Sequence, residues 1–165
     1  MKKYKKPLLL LNLIIVIGLF HFSVYKKEQI LEQGKLVLLP LAPVDPRSLM
    51  QGDYMVLNYD LGRWSEEDKK IPKRGFAIVQ LSENNVAALQ RLQASLTPLK
   101  ADEIPIKYFS DARGMVRIGA ESYFFEEGTA DKYSTAKYGG LRVDDQGNSV
   151  LEGLYDEGWD KLKGK

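Results

Sequence analysis

The sequence predicts an α+β protein, in which one N-terminal transmembrane helix precedes a β-rich exported domain of mostly antiparallel sheet or partly open barrel. Three observations predict this class. Residues 8–24 read LLLLNLIIVIGLFHFSV and lie between lysines. Beyond residue 35, short apolar stretches alternate with turns that contain Gly, Pro, Asn and Asp. The 165 residues leave room for one domain of ordinary size behind the helix.

Composition and charge narrow the classes of function. The chain has no Cys and a single His, His21, which excludes thiol catalysis, disulfides, Cys/His zinc sites and a His-dependent triad in the exported domain. The first 27 residues hold six lysines and no acid, which leaves 18 basic and 22 acidic groups in residues 28–165. Because a nucleic-acid binder carries its basic excess on the folded domain, this net charge of −4 predicts no nucleic-acid partner.

The apolar segment predicts a membrane anchor at residues 7–25. Seventeen residues of helix span about 25 Å, slightly less than the ~30 Å hydrocarbon core of a bilayer, and Tyr4 and Tyr25 can extend the match at the two interfaces. A cleaved signal peptide and a buried core helix are the alternatives. The small residues that a cleavage site needs are missing around residues 20–26, so we expect a retained anchor in the lipid bilayer.

The lysines on the two sides of the segment predict its orientation. Four precede it and two follow it, so the positive-inside rule places the N-terminus in the cytoplasm. The C-terminal domain then lies in the periplasm or outside the cell, beyond the cell (inner) membrane. The predicted division is a basic tip at 1–6, the anchor at 7–25, a helical linker at 26–34 that ends at Gly34, the exported domain at 35–158 and a polar tail at 159–165.

Short strands are predicted along the exported domain. Residues 54–61 alternate, which predicts a half-buried strand. Its inward face is expected to hold Met55, Leu57, Tyr59 and Leu61. Residues 86–93 fit a strand or a short helix, and the tight turn before them favours the strand of a hairpin. Other strands are expected at 35–41, 76–81, 104–109 and 115–125, with a short helix at 129–138 and a closing hairpin of 141–144 with 149–154.

The sequence has no motif for a phosphate, a metal or a cofactor, and we expect none of these ligands. Two catalytic arrangements stay open. Glu126 and Glu127 point to opposite faces of a strand unless Gly128 turns the backbone, and the simpler interpretation is solvated loop charges. Ser48 with a lysine base is the second, although the lysines within 69–73 lie in a charged loop where the burial that activates such a base is not expected. The recurring tyrosines are interpreted as core residues in preference to a ligand platform.

One block of turns is the most constrained part of the domain. Asp45-Pro46 and Gly52-Asp53 are turn sequences on either side of Arg47. Arg47 and Asp53 are close enough in sequence to pair across the loop. We expect either a structural latch, worth at most about 1 kcal/mol if exposed, or a polar docking site for a partner.

This block carries a family resemblance. Residues 43–59, PVDPRSLMQGDYMVLNY, resemble a bacterial family named for a GDYXXXLXY motif, with Leu57 one position closer to the first Tyr than that spelling gives. YFFEEG at 123–128, GGLRV at 139–143 and the closing hairpin extend the likeness over most of residues 35–155. The resemblance implies a small membrane-anchored protein with an exported domain, and it implies no particular activity. The candidate site residues are Asp45, Pro46, Arg47, Gly52, Asp53, Tyr54, Leu57, Tyr59, Glu127 and Gly128.

A weaker likeness links the chain to type I signal peptidases, which also have an N-terminal anchor and an exported β-rich domain with a Leu-x-x-Gly-Asp turn. Residues 49–53, LMQGD, match that turn, and PKRG at 72–75 looks like the next strand entry. The nucleophilic Ser of that family would fall near Val44, where its Ser-Met-x-Pro pattern is missing. This likeness implies a shared architecture without the catalytic dyad.

The function expected from the sequence is that of a non-enzymatic, single-pass envelope protein whose exported domain is a protein-binding or structural module. Its expected partner is a membrane or envelope protein. The first alternative is a membrane-bound serine/lysine or carboxylate hydrolase with signal-peptidase-like architecture. The second is a peptidoglycan-binding or small-ligand module that uses the tyrosines as its platform.

Overall fold

The computed structural model describes residues 5–42, 54–63, 72–111, 115–126 and 128–163. Within them the chain forms one long helix, one short helix, a turn of 3-10 helix at Asp60–Arg63 and nine strands. The bounds are α1 Lys5–Gln33, β1 Lys35–Pro40, β2 Tyr54–Val56, β3 Arg74–Leu81, β4 Ala87–Gln93, β5 Glu103–Ser110, β6 Val116–Arg117, β7 Ser122–Phe124, α2 Ala130–Tyr133, β8 Tyr138–Val143 and β9 Ser149–Tyr155. The predicted α+β, β-rich fold class is confirmed.

Helix α1 is continuous through the predicted anchor and the predicted linker. It is long and apolar enough to cross a membrane. Its large apolar side chains are exposed, and Leu8 and Phe20, for example, are 67% and 66% exposed. It ends at Gln33, and the Gly34 N–H donates to the Ile30 carbonyl at 2.9 Å. The predicted helix end at Gly34 is therefore confirmed.

The end of α1 is attached to the β domain. Ile30 is buried, and the Arg142 guanidinium of β8 donates to the Gly34 carbonyl at 3.2 Å. A Cβ at Gly34 would collide with the Ile30 carbonyl and approach the Val143 backbone nitrogen to 3.0 Å. A residue without a side chain is thus required for the helix to end this close to the sheet.

Three antiparallel sheets form the domain. Their strand orders are β1-β8-β9, β2-β7 and β4-β3-β5-β6. Sequence neighbours pair in the β3–β4 and β8–β9 hairpins, whereas β1 pairs with β8 in a register that places Val37 opposite Leu141. An isolated parallel bridge between Leu38 and Val86 joins the first sheet to the start of β4. Antiparallel pairing leaves one face of each sheet for a shared core.

That core takes side chains from all three sheets. The largest of the fully buried side chains are Leu38, Leu39, Met55, Leu57, Ile78, Ile106, Leu141, Leu154, Val37 and Val79. Burial of each such side chain contributes about 1.5–3 kcal/mol to folding. The core therefore holds β2 and β7, a ribbon only three residues long, against the two larger sheets.

Several sequence predictions are confirmed. Residues 86–93 form a strand of a hairpin with β3, and the closing hairpin forms as β8 and β9. Two predictions are corrected. The helix expected over 129–138 covers only Ala130–Tyr133, because Tyr138 already pairs with Tyr155 in the sheet. The strand expected over 54–61 ends at Val56, for a reason that the candidate site makes clear.

The segment beyond β9 turns back onto the domain. The Leu162 N–H donates to the Leu154 carbonyl at 2.8 Å, and Leu162 packs against the core. Lys161 pairs with Glu152 at 2.9 Å. Part of the chain that the sequence assigns to a polar tail thus adds to the edge of the first sheet.

Candidate functional site

The candidate site is built around β2, the strand that carries the Tyr54 end of the motif. β2 pairs antiparallel with β7, with Tyr54 opposite Phe124, Met55 opposite Tyr123 and Val56 opposite Ser122. Side chains on a strand alternate between its faces, so Met55 points inward while Tyr54 and Val56 point outward. One short ribbon therefore presents two chemically different surfaces.

The inward surface is fully buried. Met55 is 2% exposed, Leu57 1% and Tyr59 6%. The predicted inward face of residues 54–61 is confirmed, since Leu61 is also buried. The alternation in the sequence thus predicts burial correctly even where the strand does not continue.

The chain changes its hydrogen-bond partners at Asn58. The Leu57 N–H still follows the register of the ribbon, since it donates to the Glu121 carbonyl at 2.8 Å, directly before β7. The Asn58 carbonyl accepts from the Ala42 N–H at 2.6 Å, and Tyr59 forms a bridge with Leu41 just beyond β1. Residues 57–59 therefore link the small ribbon to the first sheet, which is why the regular strand stops.

Tyr59 stabilises this connection between the ribbon and the first sheet. Its hydroxyl donates to the Ala120 carbonyl at 2.7 Å, 61 residues further along the chain. Its ring lies over Gly139 of β8, where a Cβ would be 2.7 Å from the ring carbon Cε1. Burial, with the nearby Glu121 charge, raises the pKa of Tyr59 well above its ordinary value of 10, so the hydroxyl stays a protonated donor. These contacts give Tyr59 a structural role.

A small cavity lies beside Tyr59. It has a volume of about 200 Å³, below the ~300–1,000 Å³ of typical ligand sites. Its charged groups are already engaged, since Glu121 Oε1 accepts from the backbone N–H groups of Ile118 at 2.6 Å and Gly119 at 3.2 Å. Arg117 lies 3.9 Å from Asp111 in an ion pair. The cavity is therefore a weak candidate for substrate binding.

The outward surface of the ribbon is apolar and exposed. Tyr54 is 37% exposed, Val56 41% and Phe124 73%, and we call these three residues the outer aromatic patch. The Tyr54 and Phe124 ring centroids are 5.8 Å apart. The patch has a rigid base, because the residues between its members face the core.

The other aromatic residues near β7 belong to the core. Tyr123 and Phe125 pack on the ring of Tyr133, with centroid distances of 5.1 and 5.3 Å. Burial, with the neighbouring Tyr133, raises the pKa of Tyr123 to about 12. Tyr108 and Tyr155 are buried as well, so the interpretation of the tyrosines as core residues is confirmed for most of those described.

Only some of the candidate residues lie in the part of the chain that the structure describes. Tyr54, Leu57 and Tyr59 meet Phe124, Glu121 and Ala120, as described above. Gly128 has a φ of +77°, a conformation that glycine adopts readily, and Glu126, two residues before it, is exposed. Asp45, Pro46, Arg47, Ser48, Gly52, Asp53 and Glu127 lie outside the described residues, so the latch between Arg47 and Asp53 stays a prediction.

Sequence reasoning missed three residues of this corner. Phe124, Ala120 and Gly139 stand far from the motif along the chain, and each meets a motif side chain. Alternation in Ser122-Tyr123-Phe124 could have indicated an exposed Phe124. Among the described residues, no group of three or more His, Cys, Asp or Glu side chains is placed to hold a metal ion.

The fold and the site together define a class: an apolar N-terminal helix followed by a β-rich domain with a motif-bearing corner. A family model described as "GDYXXLXY protein" matches residues 16–154, most of the chain, and the chain belongs to this family. The family spelling has two positions between the first Tyr and the Leu. Residues Gly52 to Tyr59 therefore match it position for position, and the spacing difference expected from the sequence is wrong.

The other comparisons add no relative. No curated protein and no solved structure matches the chain. The likeness to type I signal peptidases stays a resemblance in sequence.

Proposed function

We propose that this protein is a single-pass, membrane-anchored envelope protein whose exported domain binds a membrane or envelope protein through the outer aromatic patch. The observation that carries the proposal is the exposure of Phe124, 73%, beside Tyr54 on a ribbon whose other face is buried. Aromatic residues are enriched in protein interfaces, and Tyr is among the residue types most often found at the few positions that dominate the binding energy.

The anchor follows from α1. The apolar side chains of residues 8–24 are exposed among the described residues, and a bilayer is the surrounding that makes their exposure favourable. Four lysines before the segment and two after it favour a cytoplasmic N-terminus and an exported domain. The partner then meets the domain on the far side of the membrane.

The patch suits a protein partner better than a small ligand. It lies on the outward face of two paired strands, whereas small-molecule sites are concave pockets. Among the motif residues, Tyr54 lies on the patch, whereas Leu57 and Tyr59 hold the ribbon through contacts on its inward side. A rigid aromatic pair loses little conformational entropy on binding.

The two alternatives have less support among the described residues. Lys73 and Glu126 are exposed, and neither has the burial that tunes a lysine base or a catalytic carboxyl group. The tyrosines that a cell-wall platform would need are largely buried. Neither alternative is favoured by a specific contact.

Photo-crosslinking in the native membranes tests the proposal. A photoreactive phenylalanine analogue replaces Phe124 in the full-length chain, and the matched control carries it at Phe109, a 46% exposed position on β5. We expect an adduct with one membrane or envelope protein from position 124 and a much weaker one from position 109. Absence of an adduct at 124, or equal adducts at both positions, would contradict the proposal.

A further inference from the structure

A second surface lies where α1 meets the β domain. A groove of about 680 Å³ runs between the last turns of the helix and the β8–β9 turn, within the ~300–1,000 Å³ of ligand sites. We call it the helix–turn groove. Its walls include Ser23, Lys26, Lys27 and Ile30 on the helix and Asp144 and Asp145 on the turn.

The groove has lysines on its helix side and aspartates on its turn side, and Lys35 at the start of β1 lines it as well. In the part of the chain that the structure describes, neither Lys26 nor Lys27 forms an ion pair with a carboxylate. Lys26 Nζ lies over the Phe22 ring, 4.8 Å from its centroid. Helical side chains tilt toward the N-terminus of the helix, so this ammonium group lies toward the apolar segment.

The turn presents one available carboxylate. Asp144 is committed to the turn itself, since it accepts from the Gln146 N–H at 3.0 Å, the Asn148 N–H at 2.8 Å and the Asn148 side chain at 2.7 Å. Asn148 is fixed in turn by Lys107 at 2.7 Å. Asp145 next to it is exposed and has no hydrogen bond or ion pair within the described residues.

The end of the groove that is nearer the membrane lies at the depth of lipid headgroups if α1 spans the bilayer. The groove starts at Ser23, near the end of the apolar segment, and headgroups extend roughly 5–7 Å beyond the hydrocarbon on each side. At 1.5 Å per residue, Lys26 and Lys27 fall about 3–5 Å beyond Val24. This step rests on the anchor in the proposed function.

We infer that the helix–turn groove binds a phosphoethanolamine lipid headgroup, with the phosphate against Lys26 and Lys27 and the primary ammonium group against Asp145. The groove offers lysines to the phosphate and the Asp145 carboxylate to the ammonium group, the two charges that this headgroup carries. A glycerol headgroup offers no cation to Asp145, and a choline headgroup has no N–H to donate to it. The groove thus distinguishes headgroups by the group beyond the phosphate.

Lipid retention by the full-length chain tests this inference. The protein is purified in mild detergent, offered equal amounts of phosphatidylethanolamine, phosphatidylglycerol and phosphatidylcholine, and weighed intact by native mass spectrometry. We expect about three- to fivefold greater retention of phosphatidylethanolamine, the scale of one partly exposed ion pair. Asp145→Asn should remove its advantage over phosphatidylglycerol, and Lys26→Gln with Lys27→Gln should weaken retention of all three lipids.

Two controls make the outcome specific. Asp131→Asn and Lys132→Gln make the same chemical changes at exposed positions of α2 and should leave retention unchanged. Inorganic phosphate is offered as a competitor, and displacement of the lipid by it at millimolar concentration would indicate a free phosphate site and overturn the lipid assignment. Equal retention of the three lipids, or an unchanged preference in Asp145→Asn, would also overturn it.

Flotation with vesicles separates this inference from the anchor. A chain that floats with vesicles of every composition but shows no headgroup preference keeps the anchor and loses the groove assignment. A chain that floats with none loses both.

Discussion

The inward and outward sides of residues 54–59 have the same backbone and opposite environments. On the inward side, Leu57 is 1% exposed and the Tyr59 hydroxyl holds the Ala120 carbonyl at 2.7 Å. On the outward side, Val56 is 41% exposed and Phe124 opposite Tyr54 is 73% exposed. Folding explains the inward residues completely. It explains the outward ones only through the Tyr54–Phe124 ring contact, and the proposed partner would account for their exposure.

The largest expected difference between the two sides is in core packing. Leu57→Ala should lower the free energy of unfolding by about 2–5 kcal/mol, because it removes a buried side chain and leaves a cavity. Val56→Ala, one position away on the outward side, should change it by about 0.5 kcal/mol or less. Urea unfolding of the two variants measures both values. Similar losses in the two variants would contradict the assignment of the faces.

The hydrogen bond of Tyr59 gives the second contrast. Tyr59→Phe should lower the free energy of unfolding by about 1–3 kcal/mol, since it leaves the buried Ala120 carbonyl without this donor. Tyr54→Phe removes the same hydroxyl from the outward side and should be close to neutral. Thermal unfolding of both variants checks the prediction. A neutral Tyr59→Phe would mean that the corner does not depend on this bond.

The pH dependence of stability tests a carboxylate, Glu103, that hydrogen bonds hold in place in the folded state. Two hydrogen bonds from Arg91, at 2.6 and 2.8 Å, and one from the Lys100 N–H hold the pKa of Glu103 at about 2, below its ordinary 4.5. The folded carboxylate binds its proton less readily than the unfolded one, so its contribution is present above pH 4.5 and lost as the pH falls toward 2. The urea midpoint of the wild type should therefore exceed that of Glu103→Gln above pH 4.5, and the two should converge toward pH 2.

The control for the pH series removes the partner. In an Arg91→Gln background, the pH at which the chain with Glu103 and its Glu103→Gln variant converge should be higher. An unchanged pH profile in that background would show that Arg91 does not hold the carboxylate.

Substitution of Phe124 is expected to have the smallest effect on the free energy of unfolding and the largest effect on binding of the proposed partner. Phe124→Ser should change the free energy of unfolding by about 0.5 kcal/mol or less, because the ring is mostly in solvent. Thermal unfolding beside Phe109→Ser provides the comparison. A strongly destabilised Phe124→Ser would assign the ring to the fold and weaken its role in the patch.

Local pattern predicted much of this molecule. The period-2 alternation identified Met55, Leu57 and Tyr59 as inward residues, and all three are buried. The tight turn before residue 86 favoured a hairpin strand, which forms as β4. Helix length and Gly34 predicted where α1 ends. Each of these depends on residues close together in the sequence, where periodicity and turn chemistry act.

Long-range partners were not predictable from pattern. The pairing with β7 ends because Asn58 bonds to Ala42 and Tyr59 bridges to Leu41, and no local feature of 54–61 encodes those partners. The Tyr59 ring packs against Gly139, which is 80 residues away in the sequence. The requirement for a residue without a side chain at position 139 is therefore visible only in the fold. The motif located the candidate site in the sequence, whereas the residues that contact it are brought there by the pairing of distant strands.

The most direct test of the account adds a charge to the outward side while the inward side stays intact. Val56→Lys is compared with Ala88→Lys, an exposed position on β4, in full-length chains that carry the photoreactive group at position 124. We predict that both variants unfold within a few degrees of the parent chain and that only Val56→Lys loses the adduct. An adduct that survives in Val56→Lys, or is lost equally in Ala88→Lys, would contradict the claim that the motif strand stabilises the fold with one face and binds a partner with the other.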